Sequence, residues 1–252
     1  MDRSRQYPLD AVGNDWSTAA FDGPFYQTPV REPTPSVGVI FVHSAEGNTG
    51  TDDPQALGAG STDKHLVYEG LSRVAADAVI AGAGTLHAGA FFSVWRPELV
   101  SLRAALGLPR HPIQVVMTAT GRVAVDEILL FNVPNVPVLV ITSTAGAERL
   151  RPALARRPWV STVESGSLRE QLERVQQFGI RRACAVGGRR SATQLVDAGV
   201  VSDLYLTRTT STRAEANTPW YVGERRPRTQ LVIAKAWDEE SGPVRFEHRL
   251  LH

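Results

Sequence analysis

Short apolar runs alternate along the chain with segments whose hydrophobic residues recur every three or four positions. The runs predict buried β-strands, and the wider spacing predicts helices with one apolar face. The predicted strands are 37–43, 77–81, 113–118, 138–143, 160–164, 183–186 and 203–207. One predicted helix begins at Asp63, and three more cover 97–106, 145–155 and 168–178. A fifth is predicted around Ala192, directly after Gly187-Gly188.

This repeated succession of strand and helix predicts an α/β fold with a mostly parallel central sheet that helices flank on both sides. Residues 231–237 and 244–250 predict a C-terminal antiparallel hairpin, and the polar, proline-containing segment 212–227 predicts a loop. Residues 1–36 contain five prolines and no periodicity, which predicts an irregular N-terminal arm. The simplest organisation is this arm followed by a single domain over 37–252.

Composition narrows the class of protein. The chain has 252 residues, 42% of them hydrophobic, and its 27 basic and 26 acidic residues give a net charge of +1. This balance favours neither a nucleic-acid nor a membrane partner. Cys184 is the single cysteine, so neither an intrachain disulfide nor a site with several thiolate ligands can form. Without a signal-like apolar segment or a membrane-spanning run, the sequence predicts a cytoplasmic protein.

The most informative local pattern is the glycine pair Gly187-Gly188, which follows an apolar strand and precedes a helix. Two residues without Cβ atoms let a ligand approach the backbone closely, and the amides of the helix N-terminus suit a phosphate. A tight structural turn explains the same pattern.

Other motifs exclude several classes of site. Gly82-Ala83-Gly84-Thr85 begins like a dinucleotide-binding fingerprint, but His87 stands where the third glycine belongs. No HExxH, GxSxG or GxxxxGK[ST] motif occurs, so the sequence predicts no metal centre, no hydrolase triad and no P-loop.

Taken together, four blocks of the sequence resemble the reductase domain of bacterial riboflavin biosynthesis, the C-terminal domain of RibD. They are Ser44-x-Glu46-Gly47, Gly60-Ser61-x-Asp63, Arg73-x-x-x-Asp77-Ala78-Val79-Ile80-x-Gly82-x-Gly84-Thr85 and Val186-Gly187-Gly188. The resemblance covers about residues 37–250 and implies a dihydrofolate-reductase-like fold.

The resemblance also implies an NADPH-dependent reductase, with the cofactor held at three places. The nicotinamide and diphosphate side would meet Gly82, Gly84 and Thr85. The diphosphate would meet Gly187 and Gly188, joined by a cis peptide, and the first helical turn with Arg189. The adenosine 2′-phosphate would meet two hydroxyls and a guanidinium, those of Thr118, Thr120 and Arg122.

On the substrate side, Glu46 is the candidate that orients the substrate or relays a proton, and Ser44 the candidate hydrogen-bonding group. The resemblance implies a ribosylaminopyrimidine or pterin-like substrate and a homodimer. Ala45, Arg189 and Thr210 depart from the family pattern. They leave open a non-catalytic nucleotide-binding relative of the same fold, and a different NAD(P)-dependent dehydrogenase is the further alternative.

Overall fold

The structure is a computed structural model that describes residues 9–12, 23, 25–30, 32–51, 54–87, 92–224 and 226–252. Its strands are β1 (Asp10–Val12), β2 (Phe25–Gln27), β3 (Ser36–His43), β4 (Asn48–Gly50), β5 (Ala78–Gly82), β6 (Ile113–Thr118), β7 (Val138–Thr142), β8 (Val160–Glu164), β9 (Arg182–Val186), β10 (Val201–Arg208), β11 (Glu215–Pro219), β12 (Thr229–Glu239) and β13 (Gly242–Leu251). Its helices are α1 (60–74), α2 (Ala83–His87), α3 (Pro97–Ala105), α4 (Thr144–Leu154), α5 (Leu168–Val175) and α6 (Arg189–Asp197). Short 3-10 turns cover Pro54–Leu57, Leu129–Asn132 and Gln176–Phe178. None of the helices in this part of the chain has the length and apolar content needed to cross a membrane.

Nine of the strands form one sheet in the order β12-β13-β10-β3-β9-β5-β6-β7-β8. Neighbouring strands are parallel from β10 to β8. By contrast, β13 runs antiparallel to both β10 and β12. The structure therefore confirms the predicted α/β fold, with a mostly parallel sheet, β9 at its centre and an antiparallel C-terminal hairpin.

Successive side chains of the central strands face opposite sides of the sheet, and helices bury both sides. Ile40 of β3 packs in one apolar cluster with residues of α1 and α4, including Leu71 and Leu150. Its neighbour Val39 packs in the other cluster, with residues of α5 and α6 that include Leu195. Burial on both faces explains why these strands are continuous apolar runs in the sequence.

Helix α1 begins at Gly60, whereas the sequence predicts a start at Asp63. The backbone N–H of Thr62 donates a hydrogen bond to Glu239 Oε1 of β12 at 3.2 Å, which satisfies one of the amides that a helix N-terminus leaves without a partner. This contact joins segments far apart in sequence, so local periodicity does not reveal it.

Strand β11 lies inside the segment 212–227 that the sequence predicts as a loop, so that prediction is wrong for Glu215–Pro219. It pairs antiparallel with β4, with Glu215 opposite Gly50 and Pro219 opposite Asn48. β11 contains no large apolar residue and therefore shows none of the apolar alternation that identifies a strand. Its strand conformation follows from the partner that the loop after β3 supplies.

The described part of the N-terminal arm contains one short antiparallel pair, β1 with β2, in a segment predicted to be irregular. Phe25 of β2 is buried, and its ring lies edge-on to Phe246 of β13 with 6.1 Å between the centroids. The hydroxyl of Tyr205 in β10 donates to the backbone carbonyl of Tyr26 at 2.6 Å. These arm residues thus pack on the same face of the sheet as α1. The boundary between an arm and a domain over 37–252 remains a prediction.

A buried carboxylate fastens the arm to the sheet. Asp203 of β10 is fully buried and accepts hydrogen bonds from the Thr28 backbone N–H at 3.1 Å and from the Ser202 hydroxyl at 2.6 Å. His248 Nε2 lies 2.8 Å from its Oδ1. A cavity of about 200 Å³ adjoins this cluster at the amino-terminal edge of β3 and β10, and its lining includes Thr28 and Ser36. None of the sequence-predicted site residues lines this cavity.

Candidate active site

The loops that carry the sequence-predicted site residues emerge from one edge of the sheet. Because β3, β9, β5 and β6 are parallel and adjacent, their carboxyl ends lie side by side. Residues 44–50, 187–189, 82–85 and 118–122 are at or directly after these strand ends. Ligands of open α/β sheets collect at this edge.

Gly187 and Gly188 form a turn with φ angles of +72° and +69°, a region that L side chains rarely adopt. A Cβ on Gly187 would lie 3.0 Å from Thr85 Cγ2, and one on Gly188 would lie 3.2 Å from Thr85 Oγ1. The two predicted glycine blocks therefore meet across β9 and β5. The implied cis peptide is wrong: among the described residues only Glu32–Pro33 is cis, so the Gly187–Gly188 peptide is trans, and the two positive φ angles make the turn.

Gly82 and Gly84 differ in what surrounds them. A Cβ on Gly82, the last residue of β5, would lie 2.2 Å from the Ser191 hydroxyl of α6. A Cβ on Gly84 would meet no atom of the described residues within 4 Å, and this residue is exposed. Gly82 therefore lets α6 approach the strand, whereas Gly84 leaves open backbone at the surface. Ser191 is not among the sequence-predicted site residues, because its only local signal is its place in the first turn after the glycine pair.

The N-terminus of α6 lacks a side-chain cap. Its N-cap residue is Gly188, whereas Ser143 and Ser167 cap α4 and α5 with hydroxyl groups that accept a backbone N–H. The first amides of a helix have no intrahelical acceptor, and together with the helix dipole they favour an anion. Arg189, the first residue of α6, adds a cationic side chain at the same place. This end of α6 therefore fits a phosphate group.

Residues 118–122 form a compact turn at the end of β6. The Thr118 hydroxyl accepts the N–H of Gly121 at 3.1 Å, and the Thr120 hydroxyl accepts the N–H of Arg122 at 3.4 Å. The Arg122 side chain is exposed. Ser143, the cap of α4, also donates to the carbonyl of Ala119 at 2.7 Å, which ties the turn to that helix. The three residues predicted to bind the 2′-phosphate therefore lie at the carboxyl end of β6, the neighbour of β5.

Ser44 and Glu46 are joined directly, because the Ser44 hydroxyl donates to Glu46 Oε2 at 2.9 Å and accepts the Asn48 N–H at 3.3 Å. Ser44 is fully buried, whereas Glu46 is exposed. His43 Nδ1 lies 2.9 Å from the Ser44 carbonyl, and burial lowers the pKa of this imidazole. The serine therefore fixes the loop, and the glutamate presents its carboxylate at the open edge.

Asp63 is a functional candidate that the sequence analysis quoted in a motif but gave no role. Its carboxyl group is buried, and its Oδ1 atom has no hydrogen-bond partner. The buried Thr207 hydroxyl faces this carboxyl group, and hydrogen bonding between the two lowers the pKa of Asp63. Burial is the largest influence, the Glu239 carboxylate acts in the same direction, and the net effect raises that pKa to about 7. Asp63 can therefore carry or release a proton near neutral pH.

Helix geometry and strand pairing place Asp63 and Thr207 beside the open edge. Thr207 lies opposite Val42 in the β10–β3 ladder, two positions before Ser44. From Asp63 onward α1 is a π-helix. This wide helical form is rare in proteins, and where it occurs it is often found at a functional site. The arrangement thus combines open glycine backbone, an uncapped helix N-terminus and a buried proton donor or acceptor along one side of the sheet.

Comparisons with known proteins define the fold. No protein-family model matches the chain. No curated protein matches it either. Among solved structures, a pyrimidine reductase-like protein from Corynebacterium diphtheriae superposes with a TM-score of 0.67 at 19% identity, over 86% of this chain and 92% of the other.

Two further structures share the architecture. The Thermotoga maritima diaminohydroxyphosphoribosylaminopyrimidine deaminase/5-amino-6-(5-phosphoribosylamino)uracil reductase gives a TM-score of 0.64 at 17% identity, over 87% of this chain and 57% of the other. The Saccharomyces cerevisiae riboflavin biosynthesis reductase Rib7 gives 0.57 at 15% identity, over 88% and 92%. The chain therefore shares the α/β fold of these reductase structures.

Proposed function

We propose that the protein is an NADPH-dependent reductase that reduces a C=N or C=O bond of a small ribosylaminopyrimidine or pterin-like substrate. The observation that carries the proposal is the buried Asp63 carboxyl group, which faces the Thr207 hydroxyl near the glycine-lined strand ends and whose Oδ1 atom has no hydrogen-bond partner among the described residues. Leaving a buried polar atom without a partner costs about 1–3 kcal/mol, so this carboxyl oxygen suits a site that a ligand completes. NADPH, when bound, supplies the hydride.

The glycine-lined edge fits the dinucleotide. Gly84 and Gly188 are exposed and lack side chains, so a diphosphate can reach their backbone. The uncapped amides of α6 would hold its oxygens, with Arg189 beside them and Gly82, Thr85 and Gly187 forming the floor. In this proposal Thr118, Thr120 and Arg122 bind the 2′-phosphate, as the resemblance implies.

The substrate would lie on the side of β3 and β10. A protonated Asp63 donates a hydrogen bond and an ionised one accepts, and the Thr207 hydroxyl can do either. Together they match the neighbouring donor and acceptor atoms on the edge of a pyrimidine or pterin ring. Asp63 would hold the proton that the reduced nitrogen or oxygen takes up, while Ser44 and Glu46 orient the substrate at the rim.

The substitution Gly84→Ala tests whether the glycines bind the cofactor or only shape the turn. A Cβ at position 84 meets no atom of the described residues within 4 Å, so folding should be unharmed, and alanine favours the helix by about 1 kcal/mol. If the diphosphate passes here, NADPH affinity should fall by about tenfold or more, since about 1.4 kcal/mol of lost contact has that effect. Fluorescence titration with NADPH and thermal melting measure the two quantities.

Gly166→Ala is the matched control, because a Cβ there also meets no atom within 4 Å but lies after β8, at the far edge of the sheet. It should leave NADPH affinity unchanged. Equal affinity in both variants and the wild type would contradict the cofactor site. Tight NADPH binding without turnover of any ribosylaminopyrimidine or dihydropterin would instead support the non-catalytic relative.

A further inference from the structure

One short segment, residues 218–222, connects the substrate-side loop to the cofactor-side helix; we name it the bridge. At its first end the Thr218 backbone N–H donates to Asn48 Oδ1 at 2.9 Å, and the Gly50 N–H donates to the Thr218 hydroxyl at 2.9 Å. The Thr49 hydroxyl donates to the Thr218 carbonyl at 2.9 Å. Thr218 is buried, so these bonds are shielded from water.

The other end of the bridge is fastened to α6. The Tyr221 hydroxyl donates to Asp197 Oδ1 at 2.6 Å, and the Val222 N–H donates to the Thr193 hydroxyl at 3.0 Å. The Asp197 carboxylate raises the pKa of Tyr221, which keeps the phenol a donor. Between the two ends, the Trp220 ring packs 6.2 Å from that of Phe41 in β3.

We propose that Tyr221 and Thr193 are positioning residues. Through their hydrogen bonds, cofactor binding at α6 shifts loop 44–50 and so orders the substrate side of the site. The inference rests on the proposed function, because NADPH is the ligand expected at the N-terminus of α6. A helix of this length moves as a unit, so a shift at its N-terminus also moves Thr193 and Asp197. The bridge passes that shift to Asn48 and Gly50, in the loop that carries Ser44 and Glu46.

Hydrogen–deuterium exchange with and without NADPH tests this coupling without any substrate, because exchange reports local opening segment by segment. In the wild type, NADPH should slow exchange at the glycine edge, 82–85 and 187–192, and also at 47–50, by about fivefold, the effect of one hydrogen bond. Tyr221→Phe and Thr193→Val should keep the protection at the glycine edge and lose it at 47–50. Both substitutions preserve side-chain shape, so the variants should fold.

Two controls separate positioning from general stability. Thr193→Ser keeps the hydroxyl and should restore the protection at 47–50. Tyr205→Phe removes a tyrosine hydrogen bond of equal length, which joins β10 to the backbone of Tyr26 in the arm. This variant should leave the coupling intact. Protection at 47–50 that persists in Tyr221→Phe and Thr193→Val overturns the inference. If NADPH protects only the glycine edge in the wild type, the inference is wrong but the proposed function stands. If NADPH protects no segment, both the inference and the proposed function are wrong.

Discussion

Burial separates two acidic side chains at the candidate site. Glu46 is exposed and accepts a hydrogen bond from Ser44, whereas Asp63 of α1 is buried and faces Thr207 of β10, and burial raises its pKa to about 7. A general acid works best when its pKa lies near the working pH, so the buried residue is the better proton donor. The sequence shows both carboxylates in family-like motifs, but which of them is buried depends on the packing of distant segments.

Asp63→Asn should change how stability depends on pH. The carboxyl titrates near 3.8 when unfolded and near 7 when folded, so between these values the folded state binds more protons. Its contribution is fully present below about pH 4 and is lost as the pH rises through 7. The neutral asparagine removes this loss, and the variant should exceed the wild type at about pH 8 by up to about 4 kcal/mol. Urea denaturation across this range measures the effect, and a variant that loses stability as steeply as the wild type would contradict it.

At the scale of elements, the sequence predicts most of the fold because strands buried on both faces are apolar along their whole length. β7 was predicted over 138–143 and spans Val138–Thr142, and β8 was predicted with its observed bounds. The errors fall where a distant partner decides the structure. Glu239 extends α1 to Gly60, and β4 gives the polar segment Glu215–Pro219 its strand conformation.

The site follows the same rule. The glycine blocks were predicted because glycine is required wherever the backbone is close to another group or has positive φ, and Gly187 shows both. Ser191 and Thr207 were missed because a lone hydroxyl carries no local signal of its surroundings. Their importance comes from what the fold places opposite them, Gly82 in one case and Asp63 in the other.

Ser143→Ala should weaken α4 and the turn 118–122 together. The hydroxyl caps α4 by accepting the Gly146 N–H at 3.1 Å and donates to the Ala119 carbonyl. Loss of a cap costs about 1 kcal/mol, and the second bond adds about as much. Ser167→Ala is the control, since Ser167 caps α5 by accepting the Glu170 N–H. Chemical denaturation should show the larger loss for Ser143→Ala, and equal losses would contradict a link between helix and turn.

At the scale of the whole molecule, the attachment of the arm at Thr28 and the candidate site lie at opposite ends of the parallel strands. Asp203 holds Thr28 near the amino ends of β3 and β10, while the glycine turns lie at the carboxyl ends. Contacts that fasten the arm are therefore separate from those that would bind a ligand. The homodimer implied by the resemblance remains a prediction, which light scattering on the purified protein would check.

Asp203→Ala should release the arm. It leaves the Thr28 N–H, the Ser202 hydroxyl and His248 without their buried acceptor, and each buried polar group left without a partner costs about 1–3 kcal/mol. Limited proteolysis should then cut near residues 25–30 much faster than in the wild type. Asp77→Ala is the control, because Asp77 accepts backbone N–H groups of Arg181 and Arg182 away from Thr28. Equal cleavage in both variants would contradict the role of Asp203.

The position of β9 in the sheet has a consequence for how the chain is made. Among the described strands, β3, early in the sequence, pairs with β9 and β10, which come far later, and β9 also joins β3 to β5. On the ribosome, at about 5–20 residues per second, β3 therefore waits several seconds with both edges open before its neighbours emerge. Exposed apolar strand edges attract other chains. The strand that ends directly before Ser44 is thus a segment of the nascent protein that a chaperone would protect from association with other chains.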